Sequence, residues 1–445
     1  MANPMTALDI PLLDTLFAQL PRLQWSASEL HEHRRAELTA TVALAKAESR
    51  WHATRLAHID VNALDPSDLS ALPTMTKRDL MANWDDVVTD GRLTLVGARE
   101  HLREVERHGF EPYLGEYLVF TTGGSTGEPA VFPWSAVEMA RWGASSVRWS
   151  AVDGAGPPAR HAWVGARSHR HPSAVASMLS GGDESLSVPI DQPLSQIVAR
   201  LNEIDPDSMS VVCSMLPPLL DAADRGELKA RPARLAVFGD VLDPRSRERA
   251  RSVLGVDLVE AYPTTDVGYI AQQAAGEAGL YVNDDLMIVE AVDKLDRPVM
   301  PGEASDHLLV TSLHQRTLPL IRYRIEDRVT MHSQPGRFAA YSRIVSIDGR
   351  SDDVFHYGDR VVHPYVFRSV LSAHIDVRDF VVRQTERGAD VDVVIDGAAD
   401  LDMLSAELVR ALNVAGLDGP SVNVTATEEL ERTAVGKRLR FVPMT

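Results

Sequence analysis

The chain has 445 residues, of which 44% are hydrophobic and 24% are charged. This composition is typical of a globular protein, and the length exceeds what one hydrophobic core usually supports, so we expect two or more domains. Acidic residues outnumber basic residues by 63 to 45, which gives a net charge of -18. Such a charge disfavours binding to nucleic acid or anionic membranes and favours small molecules or proteins as partners.

Cysteine usage and the absence of long apolar runs indicate a cytoplasmic protein. Cys213 is the only cysteine, so no intrachain disulfide can form, and its apolar neighbours predict a buried structural thiol. The first residues, MANPMTALDIPLLD, lack the basic start and apolar block of a signal peptide. The sequence contains no run of about 18 apolar residues, so no membrane span is predicted.

The first two thirds of the chain are predicted to be helical up to about residue 110 and to alternate between strands and helices after it. Residues 1 to about 110 are predicted to be mostly helical, because 31–59 is rich in alanine and charge with leucines at helical spacing. Strands are predicted at 117–120, 210–213, 234–240 and 256–263, with amphipathic helices at 192–204 and 244–254. Strands that alternate with helices predict an α/β fold with a largely parallel sheet.

The last third is predicted to contain two further parts. Strands dominate from about 280 to 347, which indicates an antiparallel sheet or a distorted barrel. After the turn GRSDD, a strand at 391–397 and a helix at 401–416 indicate a small α+β domain. The predicted division is a large N-terminal domain, 1–351, and a small mobile C-terminal domain, 352–445.

A glycine-rich turn follows the strand at 117–120 and reads FTTGGSTGEPAVFP over residues 120–133. Glycines that reach positive φ let consecutive N–H groups point at one anion, and Thr121, Thr122, Ser125 and Thr126 add hydroxyl groups. The turn lacks the lysine of the GK[ST] loop and the spacing of the GxGxxG fingerprint. By itself it is equally compatible with an anion cradle and with a hairpin or linker.

Five segments in order resemble the motifs of one superfamily. They are TTGGSTGEP (121–129), AYPTTDVG (261–268), LPLIRYRIEDRV (318–329), DGRSDDVFHYGDRVVHP (348–364) and RTAVGKRLRFV (432–442). Together they resemble the adenylate-forming superfamily, which contains acyl-CoA synthetases, peptide-synthetase adenylation domains and luciferases. LPTMTKRDLMANW (72–84) and GLYVNDDLMIVEAV (279–292) are similar to the phenylacetate-CoA ligase branch.

The resemblance implies that ATP and Mg2+ activate a carboxylic acid, with release of pyrophosphate. The residues that would grip the β- and γ-phosphates are Thr122, Gly123, Gly124, Ser125, Thr126 and Gly127. Glu128 stands where many of these enzymes have lysine, and we expect it to point away from the phosphates. Lys437 matches the lysine that bridges the carboxylate and the α-phosphate, from the C-terminal domain.

Matched positions also imply contacts to the nucleoside. Tyr262 would stack on adenine, with Gly239 and Asp240 on the adenine side. Asp327 would accept both ribose hydroxyls, and Arg350 would also reach the ribose. Alternatives from the residues alone stay open, because a tyrosine after a strand often packs in the core and Asp240 fits a surface turn equally well. Asp327 could instead form an ion pair with Arg322 or Arg324.

Further matches concern the metal and the lid. Thr265 would touch phosphate and Asp266 would hold Mg2+, although the family has a glutamate there that is one methylene longer. Asp352 matches the hinge about which the small domain swings. Gly358 lies where the lid loop passes the incoming thiol, but the surrounding HYGDRVVHP departs from the family sequence. This departure makes coenzyme A a less secure prediction than the adenylation.

The acid pocket is predicted to include the histidine- and arginine-rich segment 161–175. Trp163, His169 and His171 are candidate pocket residues, and a cluster with Arg170 fits a polar clamp and a solvated loop equally well. A metal site there is disfavoured, because no cysteine or carboxylate is interleaved. Besides Trp163, Trp134 and Trp142 are candidates for stacking on an aryl acid, and core packing is their alternative role.

We therefore expect an acid–thiol ligase whose substrate is an aromatic acid, with or without amino or hydroxyl groups. Its ligands would be the acid, ATP, Mg2+ and coenzyme A, and the related ligases make a homodimer reasonable. One alternative keeps adenylation but transfers the acyl group to a carrier protein, an amine or another nucleophile. The other is a non-catalytic nucleotide-binding scaffold.

Overall fold

The coordinates are those of a computed structural model, which describes most of the chain. The described residues are 8–122, 129–151, 160–165, 168–172, 186–190, 192–239, 242, 244–349, 355–362, 364–371, 373–374, 376–395, 399–428, 430 and 441–444. Their contacts define two compact units. Unit 1 comprises Met1–Phe120, Ala130–Pro157 and Val259–Gly349, and unit 2 comprises Thr121–Pro129, Pro158–Leu258 and Arg350–Thr445.

The N-terminal part of unit 1 is helical, as predicted. Its helices are α1 (Leu12–Gln19), α2 (Ala27–Glu48), α3 (Arg50–Arg55), α4 (Lys77–Ala82), α5 (Trp84–Val87) and α6 (Leu95–His108). Helix α2 begins with a capping box, in which Glu29 N–H donates to Ser26 Oγ (3.3 Å) and Ser26 N–H donates to Glu29 Oε2 (2.8 Å). These bonds satisfy backbone donors that a helix start would otherwise leave unpaired.

Two short strands flank the glycine-rich turn. Strands β1 (Tyr117–Thr121) and β2 (Val131–Ser135) pair with each other. Helix α7 (Ala136–Ala151) follows β2 directly. Among the described residues, no helix is long and apolar enough to cross a lipid bilayer.

Antiparallel strands form the rest of unit 1, in agreement with the prediction for 280–347. One set of strands lies in the order β13 (Arg328–Met331), β14 (Arg343–Gly349), β9 (Leu280–Val282), β8 (Gly268–Gln272) and β7 (Leu258–Thr264). A three-stranded sheet lies in the order β10 (Met287–Val292), β11 (His307–Ser312) and β12 (Tyr323–Ile325). The segment 283–286 joins β9 to β10, and therefore connects these two sheets.

Unit 2 contains parallel strands, of which those near 210–213 and 234–240 were predicted. Their order is β6 (Arg234–Phe238), β5 (Ser208–Val212), β3 (His161–Gly165) and β4 (Ser187–Pro189). The helices of this part are α8 (Leu194–Ile204), α9 (Leu216–Asp224) and α10 (Pro244–Arg249), and a short π-helical turn continues α10 to Leu254. Cys213 begins a short 3-10 helix after β5 and is buried, as the sequence predicted.

The C-terminal segment of unit 2 has the α+β character expected of it. Strands β17 (Val377–Thr385), β18 (Gly388–Ile395), β19 (Ser421–Ala426) and β20 (Phe441–Val442) form a sheet in the order β19-β18-β17-β20. Strands β15 (Phe355–Tyr357) and β16 (Arg360–Val362) pair beside helices α11 (Pro364–Leu371) and α12 (Leu401–Val414). One apolar cluster contains residues from these elements, including Phe355, Phe367, Leu408 and Phe441. The domain boundary at 351/352 falls outside the described residues and stays a prediction.

A buried ion pair fixes the junction between the antiparallel sheets of unit 1. Arg148 of α7 donates to both oxygens of Asp285, at 2.6 and 2.8 Å, and both side chains have no exposed surface. Arg22 adds a third contact to Asp285 at 3.3 Å. Burial by itself would raise the pKa of Asp285, but the Arg148 guanidinium holds it below its ordinary value.

Arg148→Met should destabilise the protein strongly, because it leaves the Asp285 carboxylate buried without its main partner. We expect a loss of about 3 kcal/mol or more in the free energy of unfolding, measured from the urea midpoint. Arg297→Met is the matched control, since Arg297 is largely exposed and pairs with Asp293 at 2.6 Å. The control should change the free energy by less than about 1 kcal/mol, and equal losses in both variants would contradict this account.

Candidate nucleotide-binding site

Two residues that the sequence assigned to the nucleoside are in direct contact. Tyr262 lies in β7, and Asp327 lies in the two-residue connection between β12 and β13. The Tyr262 hydroxyl donates to Asp327 Oδ2 at 2.7 Å, although 65 residues separate them in the chain. Tyr262 is buried and Asp327 is half-buried.

The arginines proposed as alternative partners of Asp327 pair with other residues. Arg322 donates to both oxygens of Glu290, at 3.0 and 3.1 Å. Arg324 donates to Glu326 at 3.0 Å. Each of these guanidinium groups thus has a carboxylate partner other than Asp327.

The Thr265–Asp266 pair lies on the tight turn between β7 and β8. Inside the turn, Val267 N–H donates to Thr264 Oγ1 at 3.2 Å. Gln315 Nε2 donates to the backbone carbonyl of Asp266 at 2.7 Å. Asp266 itself is half-buried, and the bond from Gln315 anchors its backbone.

Gly268 closes this turn and packs on an indole ring. Its φ is +83°, and a Cβ added there would lie 3.1 Å from Trp142 Cδ1. Trp142 stacks at an angle on Trp134, with ring centroids 4.8 Å apart. The turn that carries Asp266 thus packs on the buried pair Trp142 and Trp134. Glycine is required at position 268, where the turn ends.

Burial argues for core packing at the three tryptophans that were candidates for aryl stacking. Trp134, Trp142 and Trp163 have relative exposures of 0%, 5% and 4%. Trp163 packs on Phe238 with centroids 4.6 Å apart. Their indole N–H groups have no acceptor among the described residues. A role for Trp163 in acid binding stays a prediction, and packing accounts for all three positions.

Two candidate residues of unit 2, Thr122 and Gly239, directly follow the ends of strands. Thr122 follows β1, where Thr121 N–H donates to the carbonyl of Arg170 at 2.9 Å. Gly239 follows β6 with φ +92°, and a Cβ there would lie 3.2 Å from Val212 Cγ2. Gly239 thus lies at the carboxyl end of a parallel strand, a position typical of ligand sites in α/β sheets.

The histidine- and arginine-rich segment is more buried than a solvated loop. Arg170 is 7% exposed, and its Nη2 donates to the carbonyl of Ala373 at 2.8 Å. Burial lowers the pKa of His171 to about 4, so this ring is neutral at pH 7. His169 is half-buried. These contacts favour a structural role for Arg170, and pocket roles for His169 and His171 stay predictions.

The part of the chain that the structure describes contains no preformed metal cage. No group of three or more His, Cys, Asp or Glu side chains within the described ranges is arranged to hold a metal ion. A single carboxylate such as that of Asp266 fits Mg2+, which usually takes its other ligands from phosphates and water.

The chain is similar to known coenzyme A ligases in sequence and in fold. No family model matches the chain. Phenylacetate-coenzyme A ligase of Pseudomonas putida is 28% identical over 165 residues, which are 35% of this chain and 37% of that protein. The enzyme of the same name from Aromatoleum evansii is 22% identical over 459 residues, 95% of this chain and 93% of that protein. A crystal structure of 2-hydroxyisobutyryl-CoA ligase with R3-HIB-AMP has a TM-score of 0.61 at 17% identity, covering 95% and 92% of the two chains.

Over almost its whole length the chain is similar to a phenylacetate-coenzyme A ligase, and its fold is that of an acyl-CoA ligase, which supports the resemblance to the adenylate-forming superfamily and its phenylacetate-CoA ligase branch. The superfamily motifs do not all fall on described residues. The predicted site residues outside the described part of the chain are Gly123, Gly124, Ser125, Thr126, Gly127, Asp240, Arg350, Asp352 and Lys437. Their roles stay predictions.

Two buried polar residues near the Asp266 turn, Gln315 and Glu138, were not anticipated from sequence. Gln315 contacts the Asp266 turn, and Glu138 of α7 accepts from the backbone of Arg316 and Thr317, at 2.5 and 2.7 Å. Ser135-x-x-Glu138 has the pattern of a helix capping box, which could have marked Glu138. No sequence pattern marks Gln315.

Gly268→Ala should destabilise the turn more than the same change at Gly276. Both glycines have positive φ, at +83° and +76°, but only Gly268 lies against an indole, while nothing lies within 4 Å of a Cβ at Gly276. We expect a backbone cost of about 1 kcal/mol in each variant and a further 1–3 kcal/mol, roughly, at Gly268. Urea unfolding followed by tryptophan fluorescence measures both, and equal losses would contradict the packing described.

Acid should destabilise the protein through His314, whose ring centroid lies 5.8 Å from that of Trp134. Burial lowers the pKa of His314 to about 4. Its contribution to stability is fully present above the unfolded-state pKa of about 6.5 and is lost as pH falls towards 4. Between pH 6.5 and 4.5, wild type should lose about 2 kcal/mol more than His314→Gln, measured by urea unfolding. Parallel pH profiles would contradict the prediction.

Proposed function

We propose that the protein uses ATP to activate a carboxylic acid as an acyl-adenylate and then transfers the acyl group to coenzyme A. The observation that supports this most is the 2.7 Å hydrogen bond between Tyr262 and Asp327. It joins two residues that come from separate superfamily motifs and that the resemblance assigns to the two halves of adenosine.

The chemistry of this pair fits adenosine. A carboxylate has four acceptor sites, and the Tyr262 hydroxyl uses one of them at Oδ2, so Asp327 can still accept from both ribose hydroxyls. The hydrogen bond also fixes the tyrosine ring in one orientation. A ring held in this way loses little conformational entropy when adenine stacks on it.

The residues proposed for the phosphates follow the same strand. Asp266 would hold Mg2+ and Thr265 would donate its hydroxyl to phosphate, four and three residues beyond Tyr262. When bound, Mg2+ supplies charge neutralisation on the phosphates. Lys437 would supply the cation between the acid's carboxylate and the α-phosphate.

The proposed reaction has two displacements. The carboxylate oxygen of the acid attacks the α-phosphorus, and the bond between the α-phosphorus and the bridging oxygen breaks with release of pyrophosphate. The thiolate of coenzyme A then attacks the acyl carbon, and the bond to AMP breaks. We propose that the C-terminal segment swings about Asp352 between the two displacements.

The relatives support an acid substrate and leave its structure as a proposal. Two curated relatives are named for phenylacetate and coenzyme A. On that ground we propose an aromatic acid. The solved structure with the same fold is of a ligase named for 2-hydroxyisobutyrate, an aliphatic acid. At 17% identity it supports the fold and does not choose the acid.

Acid-dependent ATP–pyrophosphate exchange across a panel of aryl and alkyl acids tests the proposal. We expect exchange with at least one aryl acid, followed by a thioester detected by mass spectrometry after coenzyme A is added. Asp327→Ala should raise the KM for ATP by about tenfold or more, because it removes a charged hydrogen-bond acceptor. Asp418→Ala, in the exposed loop between α12 and β19, is the control and should leave KM unchanged.

Three outcomes would contradict parts of this proposal. Exchange without any thioester would replace coenzyme A with a carrier protein, an amine or another acceptor. Exchange with alkyl acids alone would overturn the aromatic substrate. No exchange with any acid, together with retained ATP binding, would make the chain a nucleotide-binding scaffold.

A further inference from the structure

We propose that Gln315 is a positioning residue, which holds the Asp266 turn in place through a brace anchored at Glu138. The inference rests on the proposed function, in which Asp266 holds Mg2+. It gives a role to the buried side chains of Gln315 and Glu138, which lie outside the five motif segments.

Glu138 forms the first half of the brace. It lies in the first turn of α7, three residues after β2 ends, and is 2% exposed. Its Oε2 accepts from Ser135 N–H at 2.7 Å and from Thr317 Oγ1 at 2.9 Å. Its Oε1 accepts from Arg316 N–H and Thr317 N–H, at 2.5 and 2.7 Å. One carboxylate therefore fastens residues 316–317 to the strand that follows the glycine-rich turn.

Gln315 forms the second half. It directly precedes the fastened residues, and its Nε2 donates to the Asp266 carbonyl at 2.7 Å. Gln315 is 1% exposed, and its Oε1 has no partner among the described residues. The bond to Asp266 is thus the one polar contact of this side chain within the described structure, and it sets the orientation of the amide.

The brace positions Asp266, which is the proposed ligand of Mg2+. A carboxylate ligand must be held to within about half an ångström to bind a cation productively. Asp266 lies on a short turn and is half-buried. The hydrogen bond from Gln315 holds the backbone carbonyl of Asp266 in place. Removing the donor would let this turn shift.

The chain offers a closely matched control for the chemical change. Gln19 of α1 is also 1% exposed, donates from Nε2 to a backbone carbonyl, that of Arg141, at 3.2 Å, and has an unpartnered Oε1. Gln19→Met and Gln315→Met therefore remove the same kind of bond from the same unit. Only Gln315 contacts the turn that carries Asp266.

The experiment measures ATP binding by calorimetry with Mg2+ and, separately, in EDTA. We expect Gln315→Met to weaken binding of Mg·ATP by about tenfold and to change metal-free binding by less than twofold. Gln19→Met should match wild type in both conditions. A structural effect without positioning would weaken both forms of ATP alike. Should Gln315→Met fail to fold, Gln315→Asn shortens the arm by one methylene and carries the same expectation.

The outcomes separate this inference from the proposed function. If wild type binds no Mg·ATP, the proposed function fails and the brace has no metal to position. If wild type binds Mg·ATP more tightly than metal-free ATP and Gln315→Met does the same to the same extent, the function stands and the brace is overturned. A selective loss of the Mg2+-dependent gain, reproduced by Glu138→Gln, supports both halves of the brace.

Discussion

The Arg148–Asp285 ion pair is the constraint on which the arrangement of unit 1 depends. It holds the segment that joins β9 to β10, and so it fixes the point where one antiparallel sheet gives way to the other. Asn283, in the same segment, donates to the carbonyl of Tyr269 on β8 at 2.7 Å. Separating the two charges would leave each of them buried without its main partner, so the pair favours one arrangement of these strands.

That arrangement brings together the residues proposed to bind ATP. Tyr262 and Asp266 belong to β7 and its turn, while Asp327 belongs to the connection that follows the three-stranded sheet. The fixed junction between the two sheets lets side chains from both meet at hydrogen-bond distance. Gln315 and Glu138 extend the same principle, because each uses a buried polar group to join segments that are distant in the chain.

The sequence predicted what depends on local pattern and motif. The alanine-rich segment 31–59 lies in α2, α3 and the turn that follows them, and the alternation of strands and helices corresponds to the parallel part of unit 2. Tyr262 and Asp327 were found because they stand in recognisable motifs. Arg148 and Gln315 were missed, since an arginine or glutamine in a polar stretch resembles a solvated side chain and its burial follows from packing between distant segments. For the same reason the sequence left two roles open for Trp134, Trp142 and Trp163, because it does not distinguish a core indole from one in a pocket.

The central claim is that the surface around Tyr262 and Asp327 binds the adenosine of ATP. Photolabelling with 8-azido-ATP, followed by peptide mapping, tests this most directly. The account predicts label in the peptide that contains residues 258–268 and its loss when unlabelled ATP is present in excess. Label that ATP displaces from other peptides, with none in this one, would contradict it.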